Sequence, residues 1–315
     1  MKILVFGVGA IGSLLIHFLC KAGNDVTVVA RSTYDDLKNN GLVIEHVLQK
    51  KTTTDRPAVV KEADMSQHYD IVFSVMQGQQ QFSMLDTLSA VNTRLIVMVG
   101  NNPECDRCES YIKEHSSTKR HVLFGFQNSA GHRENGKTFA GVLPTTELVL
   151  GGAHSAADSK AAARVKRAFA VKGYKVTEVD DMYAYYMYHI AEIMPYILMS
   201  YKAEYDLKRM TRSDIKRIIK ATGECFNYLK TTGIKVMPPK EDGFYSGGIK
   251  GIGMYLLYRI MSRTVLGDLM VADHARNGIV ENRYLDSEFE KFCSAHKGTP
   301  MPTWDGMRKY LPKQE

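Results

Sequence analysis

The sequence predicts an α/β protein whose first half is a doubly wound, mostly parallel sheet and whose second half is a mostly α-helical domain. Two textures and one glycine pattern predict it. From residue 1 to about residue 178, short β-branched apolar runs alternate with helical periods, the signature of βαβ units on a parallel sheet. Near residue 180 the pattern turns to long helical repeats rich in Tyr and Met. Gly7-Val8-Gly9-Ala10-Ile11-Gly12 stands between the first apolar run and the first helical period, where a Rossmann-type dinucleotide-binding loop belongs.

The strand candidates are Ile3 to Phe6, Val26 to Ala30, Asp70 to Val75, Leu95 to Val99, Val122 to Phe126 and Leu148 to Leu150. The first four are nearly continuous apolar segments, which predicts strands covered on both faces. Ile11, Leu14, Leu15, Phe18, Leu19 and Ala22 recur at helical spacing, and Gly23 supplies the stop. Gly131, Gly136 and Gly141 predict hairpin turns and an antiparallel far part of the sheet. In the second half, helices are expected over about 182 to 205, 211 to 231, 250 to 276 and 283 to 295, with a Pro- and Gly-rich loop from Met237 through Gly253.

Composition bounds the function. The chain of 315 residues is 44% hydrophobic and 24% charged, enough apolar material for two domains and too much for disorder. No apolar run reaches the ~18 residues of a membrane span. The opening Met1-Lys2-Ile3-Leu4-Val5-Phe6 reads as a strand rather than a secretory signal, so a cytoplasmic location is expected. A net charge of +7 suits an anionic cofactor or a carboxylate substrate, and the basic residues form no arm or stripe of the kind that binds nucleic acid. Five cysteines are too scattered for a disulfide framework, and Cys105-Asp106-Arg107-Cys108 has no second ligand pair for a metal. No metal is expected.

The glycine loop lets backbone approach a pyrophosphate, while the helix start supplies N–H donors and positive potential. An NAD site expects an acidic residue ~20 residues on, at the end of the second strand. Here that strand ends in Ala30-Arg31-Ser32-Thr33, a guanidinium and two hydroxyls suited to a 2′-phosphate. NADP is therefore the expected cofactor, with Gly7, Val8, Gly9, Ala10, Ile11, Gly12, Arg31 and Ser32 holding it. The expected organisation is an NADP-binding domain over 1–178 and a helical substrate and dimerisation domain over 179–315.

Beyond the glycine loop, Ala30-Arg31, Gly41 to Ile44, Leu95 to Asn101 before Asn102-Pro103, Gly125-Phe126, Ala130 to Gly136 and Asp180-Asp181-Met182 complete a pattern that resembles the ketopantoate reductase (2-dehydropantoate 2-reductase) family over essentially the whole chain. The resemblance implies reduction of a small 2-oxo acid by NADPH, with hydride going to the carbonyl carbon and a side-chain acid serving the oxygen. Carried over residue by residue, it places the family's Asn on Asn101, its lysine on His189, its acid on Asp268 and the lysine after the third strand on Gln77. The implied catalytic set is thus His189, Asn101 and Asp268, with Gln77 and Asn101 beside the cofactor. His189 has two readings: an acid near its ordinary pKa of ~6.5, or a helix-face histidine bonded to Glu192. Two alternatives to a 2-oxo acid reductase stay open, an NADP-dependent dehydrogenase of another hydroxy or amino acid and a non-catalytic NADP-binding sensor. A homodimer is the expected partner state.

Overall fold

The structure is a computed structural model, and it describes residues 1–141 and 144–313. The chain divides into two compact units, Met1–Tyr183 and Ala184–Glu315. The first is a Rossmann-type α/β unit and the second is helical.

Among the described residues, twelve strands lie in the first unit: β1 (Lys2–Phe6), β2 (Asp25–Val29), β3 (Leu42–His46), β4 (Lys51–Asp55), β5 (Ala58–Val60), β6 (Ile71–Val75), β7 (Leu95–Val99), β8 (His121–Asn128), β9 (Ala130–Glu134), β10 (Lys137–Gly141), β11 (Thr146–Gly151) and β12 (Tyr174–Glu178). Between them run helices α1 (Ala10–Lys21), α2 (Tyr34–Asn40), α3 (Gly78–Gln81), α4 (Leu85–Ala90), α5 (Cys105–His115) and α6 (Ser159–Ala168). An eight-stranded sheet has the order β12-β11-β8-β7-β6-β1-β2-β5. From β5 to β8 every pairing is parallel, whereas β11 meets β8 antiparallel. The continuous apolar runs of β6 and β7 are buried throughout, as strands covered on both faces must be. Leu14, Leu15, Phe18 and Leu19 of α1 pack into the same core.

The expected antiparallel far edge exists, and the predicted hairpin over Asn135-Gly136 forms, but in a different sheet. Strands β9 and β10 pair antiparallel around it, and β10 then pairs parallel with β3 in a separate four-stranded sheet, β4-β3-β10-β9. Strands β3, β4, β5 and β12 were not anticipated by the apolar pattern. β4 reads Lys-Thr-Thr-Thr-Asp and is largely exposed, so it carries no apolar signal; its backbone pairing with β3 defines it.

The second unit begins within α7 (Met182–Lys202) and continues through α8 (Arg212–Thr231), α9 (Gly248–Met261), α10 (Val265–Gly267), a π-helical turn over Asp268–Ala272, α11 (Asp273–Asn277), α12 (Ile279–Ala295) and α13 (Pro302–Asp305). Thr211 and Asp214 form a reciprocal capping box at the start of α8. Of the Tyr-rich run on α7, Tyr186 and Tyr188 are fully buried, Tyr188 meeting Phe226 edge to face at 4.8 Å. One expected helix, 250 to 276, is instead broken at Ser262-Arg263-Thr264, and it starts inside the stretch expected to be loop. Past the break the backbone is close-packed: a β-carbon on Gly267 would lie 2.0 Å from the Met261 carbonyl oxygen, so that position admits no side chain.

Candidate active site

The loop after β1 assigns each glycine a distinct task. Gly7 has φ +95°, and a β-carbon there would lie 2.0 Å from the Val75 carbonyl oxygen of β6. A β-carbon on Gly12 would stand 2.1 Å from the Gly7 carbonyl oxygen, whereas one on Gly9 would meet nothing within 4 Å. Two glycines therefore let strand and helix close on each other, and the third leaves open space at the mouth of α1. Gly9 is the exposed N-cap of that helix, without a side-chain cap or an acidic residue in the first turn. The first N–H groups of a helix lack intrahelical partners and carry positive potential, which fits a diphosphate. Val8 and Ile11 pack partly against the core and fix the loop's path, while Ala10 opens the helix.

The carboxyl ends of β1, β6 and β7 are neighbours on one sheet edge, and the strand order reverses beside β1, the place where open α/β sheets bind ligands. Gln77 follows β6 as the N-cap of α3, its Oε1 accepting from Gln79 Nε2 at 2.8 Å. Asn101 follows β7, is buried, and its Oδ1 has no hydrogen-bond partner. A buried polar atom left unpaired costs free energy, so this oxygen fits a ligand group arriving at the sheet edge. Gln81 was not anticipated. Its buried amide accepts from Ser74 Oγ at 2.8 Å and donates to the carbonyls of Met76 and Val99 at 3.1 and 3.2 Å, lacing together the two strand ends that carry Gln77 and Asn101. No local pattern marks such a residue, because its partners lie on two strands.

Arg31 and Ser32 are exposed just past β2, where the Ala30 N–H is tied to the Val60 carbonyl at 2.9 Å. Lys38 and Lys61 both lie over the Tyr34 ring, 5.2 and 4.9 Å from its centroid, adding cations that sequence reasoning passed over. Asp35 and Asp36 stand in the first turn of α2. Asp36 accepts from Arg133 at 2.9 Å.

In the helical unit, His189 lies on α7 with its ring stacked on Tyr185 at 6.2 Å. Burial and then the neighbouring His274 push its pKa down to about 3. The expectation that it titrates near its ordinary value is therefore corrected: the imidazole is neutral at physiological pH and can offer a hydrogen bond, not an acidic imidazolium. Glu192, three residues on, accepts from the Tyr245 hydroxyl at 2.8 Å. The Nε2 of His274 is buried without a hydrogen-bond partner. Asp268 is exposed at the start of the π-helical turn, a geometry often found at functional sites. Cys105 and Cys108 are buried in the first turns of α5, where burial pushes the Cys108 thiol up to about 11 and raises that of Cys105 as well. Thiolates, the form that ligates metals and does redox chemistry, are disfavoured there.

The sequence profile of the ketopantoate reductase PanE/ApbA family matches residues 3–180, more than half of the chain. The chain belongs to this family. Consistent with membership in the ketopantoate reductase family, the fold is similar to 2-dehydropantoate 2-reductase from Geobacter metallireducens GS-15, with a TM-score of 0.73, 15% identity and 99% of each chain covered. It is also similar to D-mandelate dehydrogenase in ternary complex with NADH and anilino(oxo)acetate, with a TM-score of 0.66, 15% identity, and 99% of this chain and 97% of that one covered. A dimeric ketopantoate reductase from Staphylococcus aureus is a further likeness, at TM-score 0.63 and 9% identity, covering 99% and 97%. At these identities the likenesses carry the fold. A search of the curated proteins finds no match. Membership in the ketopantoate reductase family makes the chain one of a group of oxidoreductases acting on CH–OH groups.

Proposed function

We propose that this protein is an NADPH-dependent reductase of a small 2-oxo acid. The observation that carries the reading is the glycine loop: Gly7 and Gly12 sit in backbone contact while the space beside Gly9 is open, a cradle that any side chain at Gly9 would begin to fill. In this reading Gly7 to Gly12 hold the diphosphate, Arg31 and Ser32 hold the 2′-phosphate, and Gln77 and Asn101 line the nicotinamide end. When bound, the reduced nicotinamide supplies hydride to the carbonyl carbon. The family resemblance gives the groups for the substrate oxygen as Asn101, donating through its Nδ2–H, and neutral His189, donating through its ring N–H, with Asp268 as the third residue of the set. Support for NADP over NAD comes from the cations around Arg31, Lys38 and Lys61 and from the lack of an acid at the end of β2. A homodimer belongs to the same reading, supported by the dimeric Staphylococcus aureus neighbour.

A second reading, a dehydrogenase of another 2-hydroxy acid, is favoured by the likeness to D-mandelate dehydrogenase. One experiment separates the two and tests both. Calorimetry measures binding of NADPH and NADH, followed by steady-state turnover on aliphatic and aromatic 2-oxo acids and 2-hydroxy acids. Tight NADPH binding with reduction of an aliphatic 2-oxo acid is the expected outcome. Preference for an aromatic substrate selects the second reading, and no affinity for either dinucleotide overturns both.

A further inference from the structure

Helix α9 is apolar on two opposite faces. Met254 and Tyr258 are buried, while on the other side Ile249 is 90% exposed, Ile252 63%, Leu256 53%, Leu257 46% and Ile260 61%. A helix that is apolar all round belongs in an interior, and α9 has an interior on one side only. With Gly253, the exposed positions 249, 252, 253, 256, 257 and 260 recur at the three- and four-residue steps of a single helix face. None of the six is charged. The five large side chains expose on the order of 500 Å², near the upper end of the apolar patches that monomers carry. Residues 142–143 and 314–315, outside the described residues, are too few to cover the stripe.

Gly253 is a second, independent observation. It stands inside the helix, where glycine is destabilising relative to alanine, and a β-carbon there would meet nothing within 4 Å. Packing within the chain therefore does not require a glycine at this position. On the stripe it leaves a notch, one turn from Ile249 on one side and from Leu256 and Leu257 on the other. A hole bounded by such neighbours takes a large side chain from a facing helix.

We propose that the exposed face of α9 is the two-fold interface of a homodimer, its occupant the same face of a second copy of this chain, packed antiparallel. The proposal rests on the homodimer in the proposed function and is independent of the chemistry proposed there. A two-fold interface must be its own complement, and the exposed positions have the same spacing read from either end. An axis crossing the stripe between residues 254 and 255 sets Ile249 of one protomer level with Ile260 of its partner, and Ile252 level with Leu257. The same axis sets Leu256 level with Gly253, whose missing side chain leaves room for it. Antiparallel helices also bring each positive N-terminus beside the other's negative C-terminus. Charge begins at the rim with Lys250, whose ammonium lies over the Phe244 ring of its own chain, and an apolar centre with a polar rim is the build of a protein interface. With that rim, the stripe reaches roughly the 800 Å² per partner that a standard interface buries.

The test measures mass in solution by light scattering over a wide range of protein concentration. Wild type is expected at twice the chain mass of 35.4 kDa. Leu256→Glu places a carboxylate from each copy in the apolar contact, and Gly253→Leu fills the notch while favouring the helix. Each is expected to raise the dimer dissociation constant on the order of 100-fold or more. Both positions are open to solvent within the chain, so the dissociated variants should keep the circular dichroism of wild type. In Ile249→Cys/Ile260→Cys the two thiols of one helix stand about 16 Å apart, too far to join each other. Oxidation should therefore link protomers into a covalent dimer, with wild type as the control for Cys20 and Cys293, its partly exposed thiols. A wild-type dimer that both single variants keep, and that the paired cysteines do not cross-link, overturns the α9 interface and leaves the homodimer standing. A wild type that is monomeric throughout removes the homodimer and this interface together. Should that monomer sediment with phosphatidylcholine and phosphatidylserine vesicles, and Leu256→Glu abolish it, the stripe belongs to a lipid surface and the proposal is overturned. The dinucleotide reading is decided separately, by calorimetry with NADPH and NADH.

Discussion

The carbonyl oxygen of Gly7 lies 2.1 Å from the position a β-carbon on Gly12 would take. Helix α1 can leave β1 at its angle only because position 12 has no side chain. Gly12→Ala is expected to push the helix off the strand, lowering the melting temperature and dinucleotide affinity together. Gly9→Ala has open space, so it should melt with wild type while losing roughly tenfold in affinity, about 1.4 kcal/mol. Calorimetry beside thermal melting separates the two glycines; equal behaviour would refute the division of tasks.

Arg31 is exposed past the end of β2, where it costs the fold little. Arg31→Ala is expected to weaken NADPH binding by roughly 10- to 100-fold, the size of a charged hydrogen bond, and to leave NADH binding unchanged. Equal losses for both cofactors would place the guanidinium elsewhere than on a 2′-phosphate.

Asn101 keeps a buried oxygen without a partner. Asn101→Ala therefore removes an unsatisfied atom rather than a bond at that oxygen, and the melting temperature should shift little. If the side chain serves the substrate oxygen, kcat should fall on the order of 100-fold, read by steady-state kinetics with saturating cofactor.

Gln81 is the reverse case, with every polar atom of its buried amide engaged. Gln81→Leu strands Ser74 Oγ and takes a donor from two carbonyls, for about 2–4 kcal/mol. For a chain of this size that is a drop of roughly 5–15 °C in melting temperature, and cofactor affinity should fall with it as the ends of β6 and β7 loosen.

His46 titrates at about 4, chiefly because burial disfavours its charged form and then because His17 faces it; its Nε2 lies 2.9 Å from Thr53 Oγ1. The sign follows from proton binding: between the unfolded value of 6.5 and about 4, the unfolded chain holds a proton that the folded one does not. Stability is therefore lost as pH falls through that window, by at most on the order of 3 kcal/mol. Chemical denaturation at a series of pH values should show His46→Gln losing part of this acid sensitivity, and a wild-type slope unchanged by the substitution would contradict it.

The features legible in the sequence are those whose cause is local. The continuous apolar runs of β1, β6 and β7, the period of α1 and the three glycines each announce themselves within a few residues, because burial on both faces, helical packing and close backbone approach constrain neighbouring positions directly. The same locality exposes the missing acid after β2, whereas Asn101 and His189 are put forward by the family pattern alone. The four-stranded sheet was not legible, since β10 joins β3 by backbone bonds between segments far apart in the chain. Neither was the break before α10, after which Gly267 packs against the Met261 carbonyl. Protonation was decided last of all. His189 and Glu192 have ordinary side chains in an ordinary helical pattern, and only the folded surroundings of Tyr245, Glu241 and His274 make one neutral and bring the other to the edge of ionisation, because desolvation depends on every neighbour in space and on few in sequence.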